Sequence, residues 1–292
     1  MVTPESETSS PPALLYHKVG YRWEVGITRT TPEGFSRQIA YLVKIGYQPT
    51  SLHDLHEEKP AIAYHQSSPA DGQKILRCRS SSAEVQKAVG LAFDDAYLSV
   101  YEHAFPVLRQ HRINATLFIP VNFIGKYNTW EARLLWRKFR HMDIQQIREW
   151  VNVGMELGCH TASHVELSLL SPKQWRVEIV DCKHWLEDTF STSIEWFAPP
   201  FGWYNTRLLM LLQETGYRGM AVVQPLRKVK APEGFLIQSC TGVYYGDPLF
   251  LIRAKIDPAR PLHKLEQKRL AFIHGGSKGT VLVQAFRKWK SV

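Results

Sequence analysis

The chain contains 292 residues, of which 44% are hydrophobic and 22% charged, and it is rich in Trp, Tyr and Phe. This composition excludes a disordered chain and a low-complexity fibre, and no stretch approaches the length of apolar sequence that spans a membrane. The formal net charge is +9, but residues 263–292 hold +6 of it. We therefore expect no specific nucleic-acid partner, although the basic tail can touch an anionic surface.

The N-terminal segment, residues 1–12, is polar, and we expect it to be flexible. It lacks the apolar core of a secretory signal. The four cysteines show no CxxC or other paired spacing, so we expect no disulfide scaffold. These features leave the compartment open, with the cytoplasm as the default expectation.

From residue 13 onwards, short apolar runs alternate with amphipathic segments. Residues 13–16 (ALLY) predict a strand, and Thr31 and Pro32 predict the start of a helix that Gly46 ends. Prolines and a run of serines interrupt this pattern over residues 59–88, which predicts a surface insertion. The elements predicted after it are strand 89–93, helix 97–110, strand 115–120, helix 143–153, strand 155–160, helix 171–190, strand 194–199, helix 206–214 and strand 219–223.

Strands separated by helices of this kind indicate βαβ units and a parallel sheet. The glycine-rich turn that typically follows the first strand of a doubly wound sheet is missing, so the pattern favours a (β/α) barrel. We predict one α/β domain over residues 13–256, followed by a basic C-terminal tail over residues 257–292.

Three predicted strands are followed by residues that could carry chemistry. Asp94 and Asp95 follow one strand, the HTASH run with His160 and His164 follows another, and PPFG at 199–202 follows a third. The carboxyl ends of parallel barrel strands open on one mouth, so we expect these residues to lie together. The Asp pair or the His pair alone would be uninformative, because each arises readily by chance in this composition.

Two imidazoles and one carboxylate form a His₂Asp set that leaves positions open for water and substrate. Zinc is the default divalent ion for these donors, although cobalt, nickel or iron(II) also fit. Because consecutive side chains diverge, the second carboxylate has a separate task, and it can take a proton from a water molecule held in the site.

AFDDAY, HTASH and FAPPFG, in this order, resemble the first three motifs of the polysaccharide deacetylases, the NodB-homology type of carbohydrate esterase (family 4). LLYHKVG resembles the N-terminal part of many such proteins, and the resemblance covers about residues 13–225. It implies a distorted (β/α)7 barrel that resembles a TIM barrel. The roles it implies are catalytic base for Asp94, metal ligand for Asp95, His160 and His164, and backbone N–H donor to the oxyanion for Phe201.

The chain departs from the family pattern at several positions. Ala96 stands where the first motif usually ends in Gly, and Ala198 stands where the third motif often has an Arg that orients the base. The fourth motif has no clear match. The fifth motif supplies a His as general acid, and its two candidates here are His274 in the tail and His17 after the first strand.

The leading hypothesis is a metal-dependent hydrolase that removes N-acetyl or O-acetyl groups from a carbohydrate polymer or oligomer. The alternative is a catalytically silent, carbohydrate-binding relative, which the missing Arg and the unclear general acid favour. A third hypothesis, an adaptor for nucleic acid or a membrane surface, rests on charge alone. Trp203 and Tyr204, beside the third motif, are candidates for stacking on a sugar.

Overall fold

The computed structural model describes residues 10–22, 27–57, 87–129, 138–223 and 229–273. Almost all of the predicted insertion at 59–88, and the general-acid candidate His274, lie outside these residues. The last two positions assigned to the insertion, Lys87 and Ala88, are the first residues of a strand. They are ordered there because they pair with Tyr47 and Gln48 of a neighbouring strand.

The strands are β1 (Ala13–Tyr16), β2 (Lys18–Val19), β3 (Arg29–Thr30), β4 (Tyr47–Thr50), β5 (Lys87–Phe93), β6 (Thr116–Ile119), β7 (Glu156–Cys159), β8 (Trp196–Phe197), β9 (Gly219–Val223) and β10 (Leu236–Gly242). The α-helices are α1 (Pro32–Lys44), α2 (Leu52–Leu55), α3 (Phe105–His111), α4 (Ile144–Asn152), α5 (Pro172–Trp175), α6 (Cys182–Phe190), α7 (Thr206–Glu214) and α8 (Leu249–Ile256). Residues 263–273 are also helical. None of the helices in the described ranges is both long enough and apolar enough to cross a membrane.

Helix starts follow local capping chemistry. Thr31 caps α1 by accepting a hydrogen bond from the Gly34 N–H at 3.1 Å, and Pro32 occupies the first turn. Asp143 and Gln146 form a reciprocal capping box at the start of α4. These starts agree with the sequence prediction because a cap depends on residues three or four positions apart.

Seven parallel strands form the barrel. They are ordered β1-β10-β9-β8-β7-β6-β5, and the ring closes where β1 pairs with β5. β4 adds to β5 as an extra strand outside this ring. The predicted (β/α)7 barrel is therefore confirmed.

The lumen of the barrel is a packed core, separate from the larger core between the strands and the helices. Leu15, Ala92, Phe118 and Trp196 belong to it, and Leu52 and Leu55 of α2 pack against it. Its two large rings face glycines. A Cβ at Gly158 would lie 2.4 Å from the Phe118 ring, and one at Gly219 would lie 2.6 Å from the Trp196 ring. The barrel is thus filled, and its open chemistry is confined to the strand ends.

The first part of the basic tail, residues 263–273, packs against the domain rather than extending loosely from it. Glu266 of this helical segment is buried and lies 2.6 Å from the Lys255 Nζ. Lys255 is itself buried and lies 3.2 Å from Asp247 Oδ2, while Arg269 Nη2 lies 2.7 Å from Asp247 Oδ1. A charge count could not reveal this, because the two basic side chains are matched by two buried acids.

Candidate active site

Strand alternation decides which side chains point into the barrel mouth. Leu15 of β1 pairs with Ala92 of β5, and both face the lumen. Two positions further along each strand, His17 and Asp94 face the same side. The structure places His17 Nε2 3.9 Å from Asp94 Oδ2.

Asp95, His160 and His164 form a buried cluster beside this pair. Asp95 Oδ1 lies 3.0 Å from His164 Nε2 and 3.6 Å from His160 Nε2. One ligand atom from each residue lies within 4.8 Å of the other two. The structure therefore brings together the three side chains that the sequence suggested as metal ligands.

Left-handed backbone turns aim two of these side chains. Asp95 has φ 70° and His164 has φ 51°, a conformation that costs a residue with a Cβ roughly 1–2 kcal/mol. The turn at Asp95 departs from strand alternation, so Asp95 and Asp94 both reach the mouth. At the second turn, the His164 N–H donates to Thr161 Oγ1 at 3.0 Å, which closes the HTASH loop.

The ring orientation of His160 suits a metal ligand. Its Nδ1 is 2.7 Å from the Ala198 carbonyl oxygen, so Nδ1 carries the proton and Nε2 presents a lone pair toward Asp95. Burial, together with the neighbouring His164, lowers the pKa of His160 to about 3, so the imidazole is neutral. Two imidazole nitrogens and one carboxylate oxygen, buried together, are a donor set that fits a divalent ion of the zinc type.

The two neighbouring aspartates differ in their electrostatics. Burial raises the pKa of Asp94 well above its usual value, and the adjacent Asp95 raises it further. Burial also raises the pKa of Asp95, but His164 and His160 outweigh this effect and hold it below its usual value. Asp94 Oδ1 is buried and accepts no hydrogen bond from the described part of the chain. Asp95 is thus the stable anion, and Asp94 is the carboxylate better suited to accept a proton.

The third motif forms a tight turn beside the cluster. Phe201 has φ 61°, and its ring centroid lies 5.3 Å from that of His164. Trp203 is partly exposed and lies 6.1 Å from Trp175, ring centroid to ring centroid. Tyr204 is buried, so of the two predicted sugar-stacking candidates only Trp203 presents a ring surface.

Comparisons with known proteins agree with this architecture. The structure of the Streptococcus pyogenes deacetylase PplD in complex with acetate superposes with a TM-score of 0.64 at 19% identity, over 85% of this chain and 98% of that chain. The structure of IcaB from Ammonifex degensii gives a TM-score of 0.57 at 22% identity, over 80% of this chain and 92% of that chain. At these identities the likeness shows the fold.

Residues 82–220 match the family model described as polysaccharide deacetylase. YxkH of Bacillus subtilis (strain 168) is named a polysaccharide deacetylase. It is 25% identical over 214 residues, which are 73% of this chain and 64% of that protein. Over these residues the chain is similar to the polysaccharide deacetylases. The poly-beta-1,6-N-acetyl-D-glucosamine N-deacetylase of Staphylococcus epidermidis is also 25% identical, over 49% of this chain and 50% of that protein. The matched region thus spans half to two thirds of these curated relatives.

Two further residues support the deacetylase motifs and were not predicted. Glu178 accepts hydrogen bonds from the Ala162 and Ser163 N–H groups at 2.9 and 2.8 Å, which fixes the HTASH loop. Its spacing from Trp175 and Cys182 places this acid on the buried face of a helix, and that was a usable signal. His141 contacts the Asp95 backbone, and nothing in the local sequence indicates this.

Cys159 is buried and is not part of the Asp95–His160–His164 cluster. It precedes His160 on β7 and alternates to the opposite face, where its Sγ lies 2.9 Å from Cys182 Sγ. Both cysteines are buried within the core between strands and helices. Cys159 therefore contributes packing rather than a metal ligand.

Proposed function

We propose that the chain is a metal-dependent deacetylase that hydrolyses N-acetyl groups on a carbohydrate polymer or oligomer. The observation that carries this proposal is the buried Asp95–His160–His164 cluster beside Asp94 at the barrel mouth. The name of the staphylococcal relative, an N-deacetylase of poly-N-acetylglucosamine, supports an amide rather than an ester as the substrate bond.

The proposed metal ligands are Asp95, His160 and His164. A divalent ion held there, with zinc as the default and cobalt, nickel or iron(II) as alternatives, would supply Lewis-acid polarisation of the acetyl carbonyl and a lower pKa for water in the site. Asp95 would balance part of the charge of such an ion, while the Ala198 carbonyl fixes the ring of His160.

The remaining steps belong to the chain's own residues. Asp94 accepts a proton as water attacks the acetyl carbonyl carbon. The Phe201 backbone N–H donates to the oxygen that becomes negative. When the C–N bond breaks, the leaving sugar nitrogen takes a proton, and the products are acetate and the free amine.

His17 is the proposed donor of that last proton. It follows β1, faces the mouth and lies beside Asp94, so acid and base flank the same space. The other candidate, His274, lies outside the described residues, and its role stays a prediction. So do the contact of the basic tail with an anionic surface and the location in the cytoplasm.

The catalytically silent alternative has less support. Ala198 replaces the Arg that often orients the base, but its carbonyl still holds a metal-ligating His, and His17 lies beside the base instead. A carbohydrate-binding module does not require a buried His₂Asp cluster with an adjacent carboxylate.

Metal analysis and acetate release test the proposal together. We expect the purified protein to hold about one divalent ion and to release acetate from acetylated glucosamine oligomers. A chelator should stop acetate release, and zinc or cobalt should restore it. Bound metal without acetate release would favour the silent relative, and absence of metal binding would refute the proposed site.

A further inference from the structure

The turn that carries the two aspartates is strained. Asp95 and Ala96 are consecutive residues in the left-handed region, with φ 70° and 48°. Glycine adopts this conformation without cost, whereas alanine does not. Because two consecutive left-handed residues that both carry a Cβ are unfavourable, the turn needs an external restraint to hold the Asp95 carboxylate in place.

A neighbouring segment supplies this restraint. Residues 140–142, here called the 140–142 bracket, run antiparallel to the strained turn. The Met142 N–H donates to the Ala96 carbonyl and the Leu98 N–H donates to the Arg140 carbonyl, each at 2.8 Å. Both bonds restrain residues that follow Asp95, on the side of the turn away from β5.

His141 is the bracket residue that reaches Asp95 itself. Its side chain is buried, and its Nδ1 lies 2.5 Å from the Asp95 carbonyl oxygen, so Nδ1 donates to that oxygen. The Tyr97 ring stacks on the imidazole at 4.7 Å between centroids, and the Phe123 ring lies 5.6 Å away. The imidazole is therefore fixed in the plane from which it donates.

We propose that His141 is a positioning residue for the metal site. Through the Asp95 carbonyl it holds the left-handed backbone at Asp95, and thereby aims the Asp95 carboxylate at His160 and His164. Its hydrogen bond is to the Asp95 backbone carbonyl and not to the carboxylate. This inference rests on the proposed metal site.

The backbone of the bracket has supports that do not involve the imidazole. The His141 N–H donates to the Lys126 carbonyl, and the Gly125 N–H donates to the Met142 carbonyl, each at 2.8 Å. Removal of the imidazole donor therefore leaves the segment paired on both sides. The expected consequence is a misaimed carboxylate rather than an unfolded chain.

Cobalt(II) binding to the metal-free protein, followed through the visible absorption of bound cobalt, tests the inference without deacetylase activity. His141→Phe keeps a ring against Tyr97 but removes the donor, and it should weaken cobalt affinity by about 10- to 100-fold and change the spectrum. His141→Asn keeps an N–H near the position of Nδ1 and should recover affinity to within about threefold of the unmodified protein. His184→Phe, on the exposed side of α6, is the matched control and should change neither.

The outcomes separate this inference from the proposed function. No cobalt binding by the unmodified protein refutes the metal site itself. Cobalt binding by folded His141→Phe with unchanged affinity and spectrum overturns the positioning role alone. If His141→Phe does not fold, Ala96→Gly combined with His141→Phe should restore folding and cobalt binding, because glycine removes the part of the strain that Ala96 contributes. Failure of this double variant to fold or to bind cobalt also overturns the inference.

Discussion

The two adjacent aspartates obtain different tasks from the backbone that holds them. Asp94 continues the alternation of β5 and faces the lumen beside His17, whereas Asp95 is turned by its left-handed backbone toward His160 and His164. One side chain therefore meets two imidazoles, and the other keeps a buried carboxylate oxygen that accepts no hydrogen bond from the described part of the chain. A single position in the chain thus separates the proposed metal ligand from the proposed proton acceptor.

Substitution of each aspartate by asparagine should separate these tasks. Asp94→Asn should lower the rate of acetate release on the order of 10²–10⁴-fold while metal content is kept, because an amide cannot accept the proton. Asp95→Asn should lose bound metal as well as activity. Metal analysis and acetate release on both variants provide the check, and the opposite pair of phenotypes would reverse the assignment.

His17 can be tested through the leaving group. An amine leaves poorly without a proton, whereas an aryl oxide such as p-nitrophenolate leaves without one. His17→Ala should therefore lower amide hydrolysis on the order of 10²-fold or more, and should affect hydrolysis of p-nitrophenyl acetate far less. His274→Ala should leave both reactions nearly unchanged. Equal losses on both substrates in His17→Ala would argue against a general-acid role.

At the scale of elements, the sequence predicts local features such as helix caps. It misses contacts between residues that lie far apart in the chain. The caps at Thr31 and Asp143 and the polar strand ends were predictable, because each depends on a few adjacent residues. The strand predicted at 194–199 is reduced to Trp196–Phe197, because its pairing is set by β7 and β9 rather than by its own apolar run. His141 contacts a residue 46 positions away, and local periodicity carries no information about such a contact.

The end of the barrel opposite the site carries a partly buried acid. Glu156, the first residue of β7, accepts hydrogen bonds from the Thr116 hydroxyl and from the His53 N–H of α2. Burial raises its pKa to about 7, while these hydrogen bonds and the His53 side chain lower it and Glu195 adds to the increase. The fold therefore favours the protonated carboxyl at this position.

The stability of the protein should depend on pH through Glu156. Because its pKa in the fold lies above its ordinary value, its contribution is fully present below about pH 4.5 and is lost as pH rises through about 7. The side chain is only partly buried, so we expect a loss of about 1–2 kcal/mol at pH 8, less than the shift would give at full burial.

Glu156→Gln stays neutral and should not suffer this loss. Urea unfolding at pH 5 and pH 8 on both proteins measures it, since the difference between the two proteins cancels the groups they share. Equal pH dependence in both would exclude Glu156 as the source.

At the scale of the whole molecule, the C-terminal helical segment connects the last elements of the chain to the first. Asp247 lies between the two: its carboxylate meets Lys255 and Arg269, and its carbonyl accepts a hydrogen bond from Gln38 Nε2 of α1 at 3.4 Å. Gln38 Oε1 in turn accepts from the Tyr16 hydroxyl of β1. The segment therefore supports the strand that His17 follows, although it lies outside the predicted domain.

Two truncations distinguish the packed part of the tail from the rest. Truncation after Asp257 removes Glu266 and Arg269 and leaves Lys255 buried with one acid instead of two. Removal of one partner from such a buried cluster typically costs about 3–5 kcal/mol, so this variant should unfold at markedly lower urea concentration. Truncation after Ile273 keeps the cluster and should match the full chain in stability, metal content and acetate release.

Equal stability of the two truncated proteins would show that the cluster contributes little. A rate loss on the order of 10²–10⁴-fold in the longer one, at full stability, would instead identify His274 as the general acid and bring the tail over the barrel mouth.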